Sequence, residues 1–293
     1  MDAALFQRFN PQEFYSRFLE HDLRPDGRAP DERRPTQLRR AAVGSAHGSA
    51  SARLGLSAAV AGVRAEVTEA VPELPPCGRI AVSVELPPLC SNTFRDRQRA
   101  TGLSTFLSNS LTDVFNDTRV FSSSQLNIRE GELFWVLYVH VICLAFDGNA
   151  FDLCLLAALA ALEDTALPAL CEGAASEARH LVQAPPGTAE PLAEARRPAL
   201  ASRPLPTTFA RLPGQRWVLD PCAQEEEIGT AVSLCLVGGK WLVFHHGGGA
   251  EVERFVGELM PKARASVSGL SELLDGAAKA SASDGEGDDG PAG

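Results

Sequence analysis

Two acids late in the chain, Asp220 and Glu226, stand six residues apart in the region that begins DPCAQEEE. Carboxylates so spaced at a strand end can bind Mg²⁺ or act as general acid and base. The same pair can equally form turn caps or salt bridges between subunits. A second candidate is cationic. Arg95, Arg97 and Arg99 crowd the stretch PPLCSNTFRDRQRATG, residues 87–102, with Asp96 set among them. Such a cluster suits phosphate contacts, or else a subunit interface or a solvated loop. His245-His246 before three glycines reads as a structural turn, because adjacent strand residues point to opposite faces and cannot easily share one ion. The seven cysteines are odd in number and widely spaced, with no C-x-x-C pair. They read as buried reduced thiols rather than zinc or redox sites, and neither metal nor cofactor is expected.

Composition bounds what such groups can serve. A chain of 293 residues with 45% hydrophobic content can bury a sizeable core. The net charge of −10 argues against a stand-alone nucleic-acid binder, yet leaves room for one basic strip on a subunit of a larger assembly. No apolar run reaches the ~18–20 residues that a bilayer crossing needs. The opening MDAALFQRFNPQEF has no basic region before an apolar one, so no secretory signal is expected.

The elements that must position these residues are organised around residues 133–163. LFWVLYVHVICLAF predicts a long strand buried on both faces, Asp147-Gly148-Asn149 a tight turn, and FDLCLLAALAAL a helix buried between layers. Asn149 or Asp152 is the expected cap. Before this unit come a helix over 11–20 behind Asn10 and Pro11, and an arginine-rich connector over 23–40. The connector's charges are expected to be solvated and paired with Asp26, Asp31 and Glu32. Strands follow at Ser49–Leu54, Ser57–Val67 and Arg79–Leu86, then an amphipathic helix from Leu103 and a short strand over 125–128. The second half restarts with strands over 204–212, 216–219, 228–237 and 240–245, and closes with a helix from Glu251 to about Leu274. The fold class is α/β (α+β), with two lobes of mixed β-sheet packed with helices and a weak internal duplication. The expected organisation is an N-terminal helix (1–22), an N-terminal lobe (23–170) and a Pro/Ala-rich linker or surface excursion (171–203). A C-terminal lobe (204–275) and a disordered acidic tail (276–293) complete it.

Taken together, RPDGR (24–28), LPPLCSNTFR (86–95), the strand–Asp147-Gly148–helix unit, PTTF (206–209) and VLDPCAQEEE (218–227) resemble the RNase PH family. Within it they are similar to the catalytically silent ring subunits of the eukaryotic RNA exosome. The resemblance implies an RNase PH-like fold and a ring of related chains and cap subunits. Single-stranded RNA would be threaded past Arg95, Arg97 and Arg99, with no membrane role, in nucleus, nucleolus and cytoplasm. It also implies degenerate chemistry. Active members carry Gly-Thr-Arg after the Asp-Gly turn, where this chain has Asn149-Ala150-Phe151, and their Arg-Ser pair is unrecognisable in Leu107-Ser108-Asn109-Ser110. A phosphate dianion held against RNA needs that cation. Asp220 and Glu226 fall where the family acids stand. The alternative is an active phosphate-dependent 3′–5′ exoribonuclease that uses those two acids.

Overall fold

A computed structural model describes residues 6–7, 9–69, 77–129, 131–172, 181–183, 194–213, 216–245 and 252–284. Its first sheet has six strands: β1 (Thr36–Arg40), β2 (Gly48–Leu54), β3 (Ser57–Glu69), β4 (Arg79–Glu85), β5 (Asn127–Arg129) and β6 (Leu133–Ala145). The order is β1-β2-β3-β6-β4, with β5 also on β6. The β4–β6 pair is parallel and the others antiparallel, so this sheet is mixed. The second sheet, in the order β10-β9-β11-β12, is built from β9 (Leu205–Arg211), β10 (Trp217–Leu219), β11 (Thr230–Val237) and β12 (Lys240–His245). It is antiparallel throughout.

Between the sheets lies α3 (Ala150–Asp164), packed on β2 and β3 of the first and on β9 of the second. Every residue from Ala150 to Leu162 is buried, as expected of a helix with no polar stripe. Asn149 is the cap, its side chain accepting from the Asp152 amide at 3.4 Å. Two other helices, α1 (Pro11–Leu19) and α2 (Arg97–Phe115), flank the body, and α5 (Val252–Asp284) spans β1 and β9. In α1, Tyr15 and Leu19 pack on Ala210, Leu212 and Val218 of the second half.

Several expectations need correction. β6 is buried continuously only from Leu133 to Leu137. Beyond Tyr138 it alternates, leaving Ile142 42% and Leu144 56% exposed, because helices cover only the inner face there. The helix expected from Leu103 starts at Arg97, since the Asp96 side chain accepts from the Gln98 amide at 3.0 Å and caps it. Arg95 sits in the preceding 3₁₀ turn (Asn92–Arg95). A short helix, α4 (Ala223–Ile228), occupies residues left unassigned before the strand expected from Ile228, with Glu225 and Glu226 in its first turn where the helix dipole favours acids. The arginine-rich connector holds the unforeseen strand β1; Arg28 pairs with Asp26 as expected and Arg39 is exposed, but Arg24 and Arg34 are buried rather than solvated. Within the expected linker, β7 (Leu170–Glu172) pairs with β8 (Leu181–Gln183). Helix α5 continues past the expected end near Leu274 to Asp284. Residues 285–293, most of 173–193 and the turn after His245 lie outside the described residues.

One edge of the first sheet is closed by side chains. Ser104, Ser108, Thr112 and Asn116 recur every fourth residue on α2 and face β4. Thr112 Oγ1 accepts from the Val82 amide at 3.1 Å and Ser108 Oγ from the Val84 amide at 2.9 Å. Asn116 Oδ1 accepts from the Ile80 amide at 3.0 Å while its Nδ2 donates to the Ile80 carbonyl at 2.7 Å. The helix thus answers backbone groups that an edge strand otherwise offers to another chain. Thr112→Val keeps the shape but leaves the Val82 N–H without its acceptor, which should cost about 1–3 kcal/mol. A urea midpoint that falls with an unchanged slope bears this out; an unchanged midpoint refutes it.

Candidate functional site

The arginines of the connector converge where the two halves of the chain meet. Arg24 and Arg34 are 1% and 7% exposed, so both must be paired or pay a large desolvation cost. Arg34 grips Asp220, its Nη2 donating to Oδ1 at 2.8 Å while its Nε and its own backbone N–H donate to Oδ2, both at 2.9 Å. Asn149 Nδ2 adds a fourth donor to Oδ1 at 2.6 Å. Arg24 forks onto Glu225, with Nε donating to Oε1 at 3.0 Å and Nη2 to Oε2, and Nη1 reaches the Leu219 carbonyl at 2.8 Å. Arg33 stands 3.2 Å from Asp152, the one charge inside the apolar run of α3, which also accepts from Thr208 Oγ1 at 2.6 Å. Arg28 spans Asp26 and the Asp220 carbonyl.

The backbone is shaped to fit. Asp220 and Asn149 adopt φ of 51° and 56°, and Gly148 has φ of 81°. A Cβ on Gly148 would meet the Cys222 carbonyl carbon at 2.4 Å, so only glycine lets the two turns approach.

The two acids therefore meet around Asn149 but differ in environment. Burial alone would raise the Asp220 carboxyl, but the hydrogen bonds and charge of Arg34 outweigh it and hold the group down at about 2. With its oxygens on Arg34 and Asn149, Asp220 offers no free face to a cation. Glu226 is half-buried and pushed up to about 7 by burial, although its Oε1 accepts from the Asn149 amide at 2.8 Å. That amide lies at the start of α3, where backbone N–H groups and the helix dipole would receive an anion. In this chain, Glu226 takes that place. Burial, outweighing the Arg33 charge, keeps the Asp152 carboxyl above its ordinary range. Among the described residues, no three His, Cys, Asp or Glu side chains are grouped to hold a metal ion. Burial also pushes Cys154 up to about 12 and Cys222 up to about 11, so neither is a thiolate at neutral pH.

Glu226 faces a cavity of about 380 Å³ whose walls include Arg99, Leu103, Phe106 and Phe151. Phe151 is buried against Phe244, with ring centroids 5.0 Å apart. Arg99 thus lines the same cavity as Glu226, while Arg95 and Arg97 lie outside that lining. All three arginines are exposed. The sequence reading missed Arg24, Arg33, Arg34 and Asp152. A lone acid in an apolar helix and a run of arginines broken by prolines were the available signals, since a buried charge needs a partner.

Two sheets clasping an apolar helix, with a charged cluster at the helix start, define an RNase PH-type α/β chain. The model of the 3′ exoribonuclease family, domain 1 (RNase PH), matches residues 32–168. Exosome complex component Rrp42 of Methanopyrus kandleri is 31% identical over 231 residues, spanning 78% of this chain and 80% of that protein. Exosome complex component rrp43 of Schizosaccharomyces pombe is 34% identical over 165 residues, spanning 56% of this chain and 61% of the yeast protein's length. A chain of the Archaeoglobus fulgidus exosome with RNA bound to the active site superposes with a TM-score of 0.73 at 26% identity, covering 89% of this chain and 96% of that one. The chain belongs to the RNase PH family.

Removing the carboxylate in Asp220→Ala strands Arg34 without its counter-charge and should cost about 3–5 kcal/mol. Urea denaturation measures this, and a loss below about 1 kcal/mol would contradict the lock. Glu226 gives a pH signature of the opposite sign to an ordinary ion pair. Its folded carboxyl titrates at about 7 against an ordinary 4.5, so the native state binds more protons. Its contribution makes stability climb as pH falls from 7 towards 4.5. Asp220 works the other way, contributing stability that is present above 3.8 and lost as pH falls towards 2. Unfolding free energies at pH 5, 6 and 7 should therefore show a slope that Glu226→Gln flattens; an unchanged slope in that variant refutes the assignment.

Proposed function

We propose that this chain is a non-catalytic structural subunit of an RNA exosome ring, one of several RNase PH-like chains that form a channel for single-stranded RNA. The carrying observation is that Asp220 is consumed by Arg34 and Asn149 while Glu226 fills the anion position at the start of α3. Phosphorolysis needs a bound phosphate dianion beside acids free to act, and Phe151 supplies apolar surface where family members with activity carry an arginine. The exposed apolar pair Ile142 and Leu144 on the outer face of the first sheet suits an assembled chain rather than an isolated one. Neighbours would be other RNase PH-like ring subunits and cap subunits, and the setting nuclear, nucleolar and cytoplasmic RNA processing and decay.

RNA contact falls to Arg95, Arg97 and Arg99, which form no ion pair among the described residues. Two of them stand in the first turn of α2, where the helix dipole disfavours cations and so favours an incoming anion. Replacing all three by alanine should weaken binding to single strands of any sequence and reduce the salt slope by about 2, at ~0.7 per phosphate contact. An unaltered slope would exclude them from the path.

The decisive assay incubates the purified chain with oligo(A), Mg²⁺ and phosphate. No nucleoside diphosphate should be released. Release that Asp220→Asn abolishes would establish the exoribonuclease alternative instead. Native mass of the complex copurifying with the chain tests the assembly. A heteromeric ring with one copy of each related chain is expected, and a monomer or homo-oligomer overturns the scaffold role.

A further inference from the structure

The cavity beside the arginine strip holds a carboxylate oxygen that is unanswered among the described residues. Thr208 Oγ1 is committed to Asp152, and the Asn149 side chain is divided between Asp220 and the Asp152 amide. Glu226 Oε1 takes the Asn149 amide, but Oε2 accepts no hydrogen bond among the described residues. Arg99 lines the same cavity, is exposed and has no acid partner among those residues. Leu103, Phe106 and Phe151 supply apolar and aromatic wall.

A ligand that answers all three features has a flat apolar body, neutral N–H donors at one edge and an anion at the other end. A cationic amine would satisfy Glu226 but be repelled by Arg99. Among the RNA bases only guanine carries two adjacent N–H donors on its Watson–Crick edge. Adenine and cytosine set their amino donor beside an acceptor, and uracil places one N–H between two carbonyls. We infer that this cavity binds a guanine base, its N1–H and 2-amino group donating to the Glu226 carboxylate, its ring against Phe106 and Phe151, and its phosphate on Arg99. A volume of about 380 Å³ is of the size that holds small ligands, roughly 300–1,000 Å³.

The inference rests on the reading of the arginine strip as an RNA contact: a strand held by its phosphates drops one base into the cavity. It adds a base preference to a contact otherwise blind to sequence. Free guanosine monophosphate offers the same chemistry.

Fluorescence anisotropy on the full chain at pH 8, where the Glu226 carboxyl is ionised, separates the cases. The probes are labelled oligo(U) and oligo(U) with one internal guanosine. The guanosine strand should bind about tenfold tighter, the gain expected of hydrogen bonds to a charged acceptor. Glu226→Gln keeps an oxygen for the Asn149 amide but turns an NH₂ donor towards the cavity, and should bring the two strands to equal affinity. Its melting curve checks that the fold is intact. Displacement of the guanosine strand by guanosine but not adenosine monophosphate supports a site that also takes the free nucleotide. Without displacement, the same preference supports a strand-bound base alone. Equal affinity of the two strands for the unmodified chain, or a preference that survives Glu226→Gln, overturns the guanine site and leaves the arginine reading standing. No binding of either strand overturns both.

Discussion

The fold depends on a buried guanidinium–carboxylate pair. Arg34 and Asp220 lie far apart in the chain, one just before the first strand of the first sheet and the other just after an edge strand of the second. Neither can be buried alone, since an isolated charge in a low-dielectric interior costs several kcal/mol. Each is therefore soluble in the interior only when the two halves come together. The pair works as a register pin more than as a source of net stability, because an apolar pair of similar volume could do as well energetically. Its neighbours extend the same logic. Arg24 with Glu225 fixes α4, and Arg33 with Asp152 fixes the start of α3 against β9. Three arginines from one short connector thus stitch three elements.

Around that pin the layers follow from sidedness. Helix α3 has apolar side chains all round and must be covered on every face, which two sheets and the helices beside them accomplish. Only the inner face of the first sheet receives such cover along its whole length. The outer face keeps Ile142 and Leu144, and the β4 edge is closed by hydroxyl and amide side chains of α2. The guarded β4 edge is poor at joining strand to strand, and the apolar outer face is suited to packing face on. That combination limits how the chain can associate without leaving it a monomer by necessity.

Local signals made much of this legible. The alternation in β2, β3 and β4, the apolar continuity of α3 and the Asn10–Pro11 start of α1 each reflect a single dominant force acting over a few residues. The arginine connector was misread because composition alone cannot tell a solvated charge from a buried one whose partner is nearly two hundred positions away. Strand β1 was hidden for the same reason, since Arg39 and Arg40 mask the pattern of TQLRR. Helix α4 was lost because six residues are too few for periodicity to register, although Pro221 followed by acids is a helix start. Glu226 was read as a second acid beside Asp220, and both meet Asn149. What periodicity could not convey is that it points at a backbone amide, a relation set by the left-handed turn at Asn149.

That relation is what the proposed non-catalytic role rests on. A helix start is an anion site only while its amides are unclaimed. In this chain the Asn149 amide already has a carboxylate, held covalently at an effective concentration no dissolved phosphate can match. A dianion entering beside Glu226, with Asp220 and Asp152 near it, would meet like charge. Phe151 cannot offset that repulsion. A carboxylate with one oxygen spent on the helix and the other facing an aromatic-walled cavity is instead suited to receiving N–H donors, which bring no charge to be repelled. On the proposed reading, the feature that closes the site to phosphate is the one that leaves it open to a base.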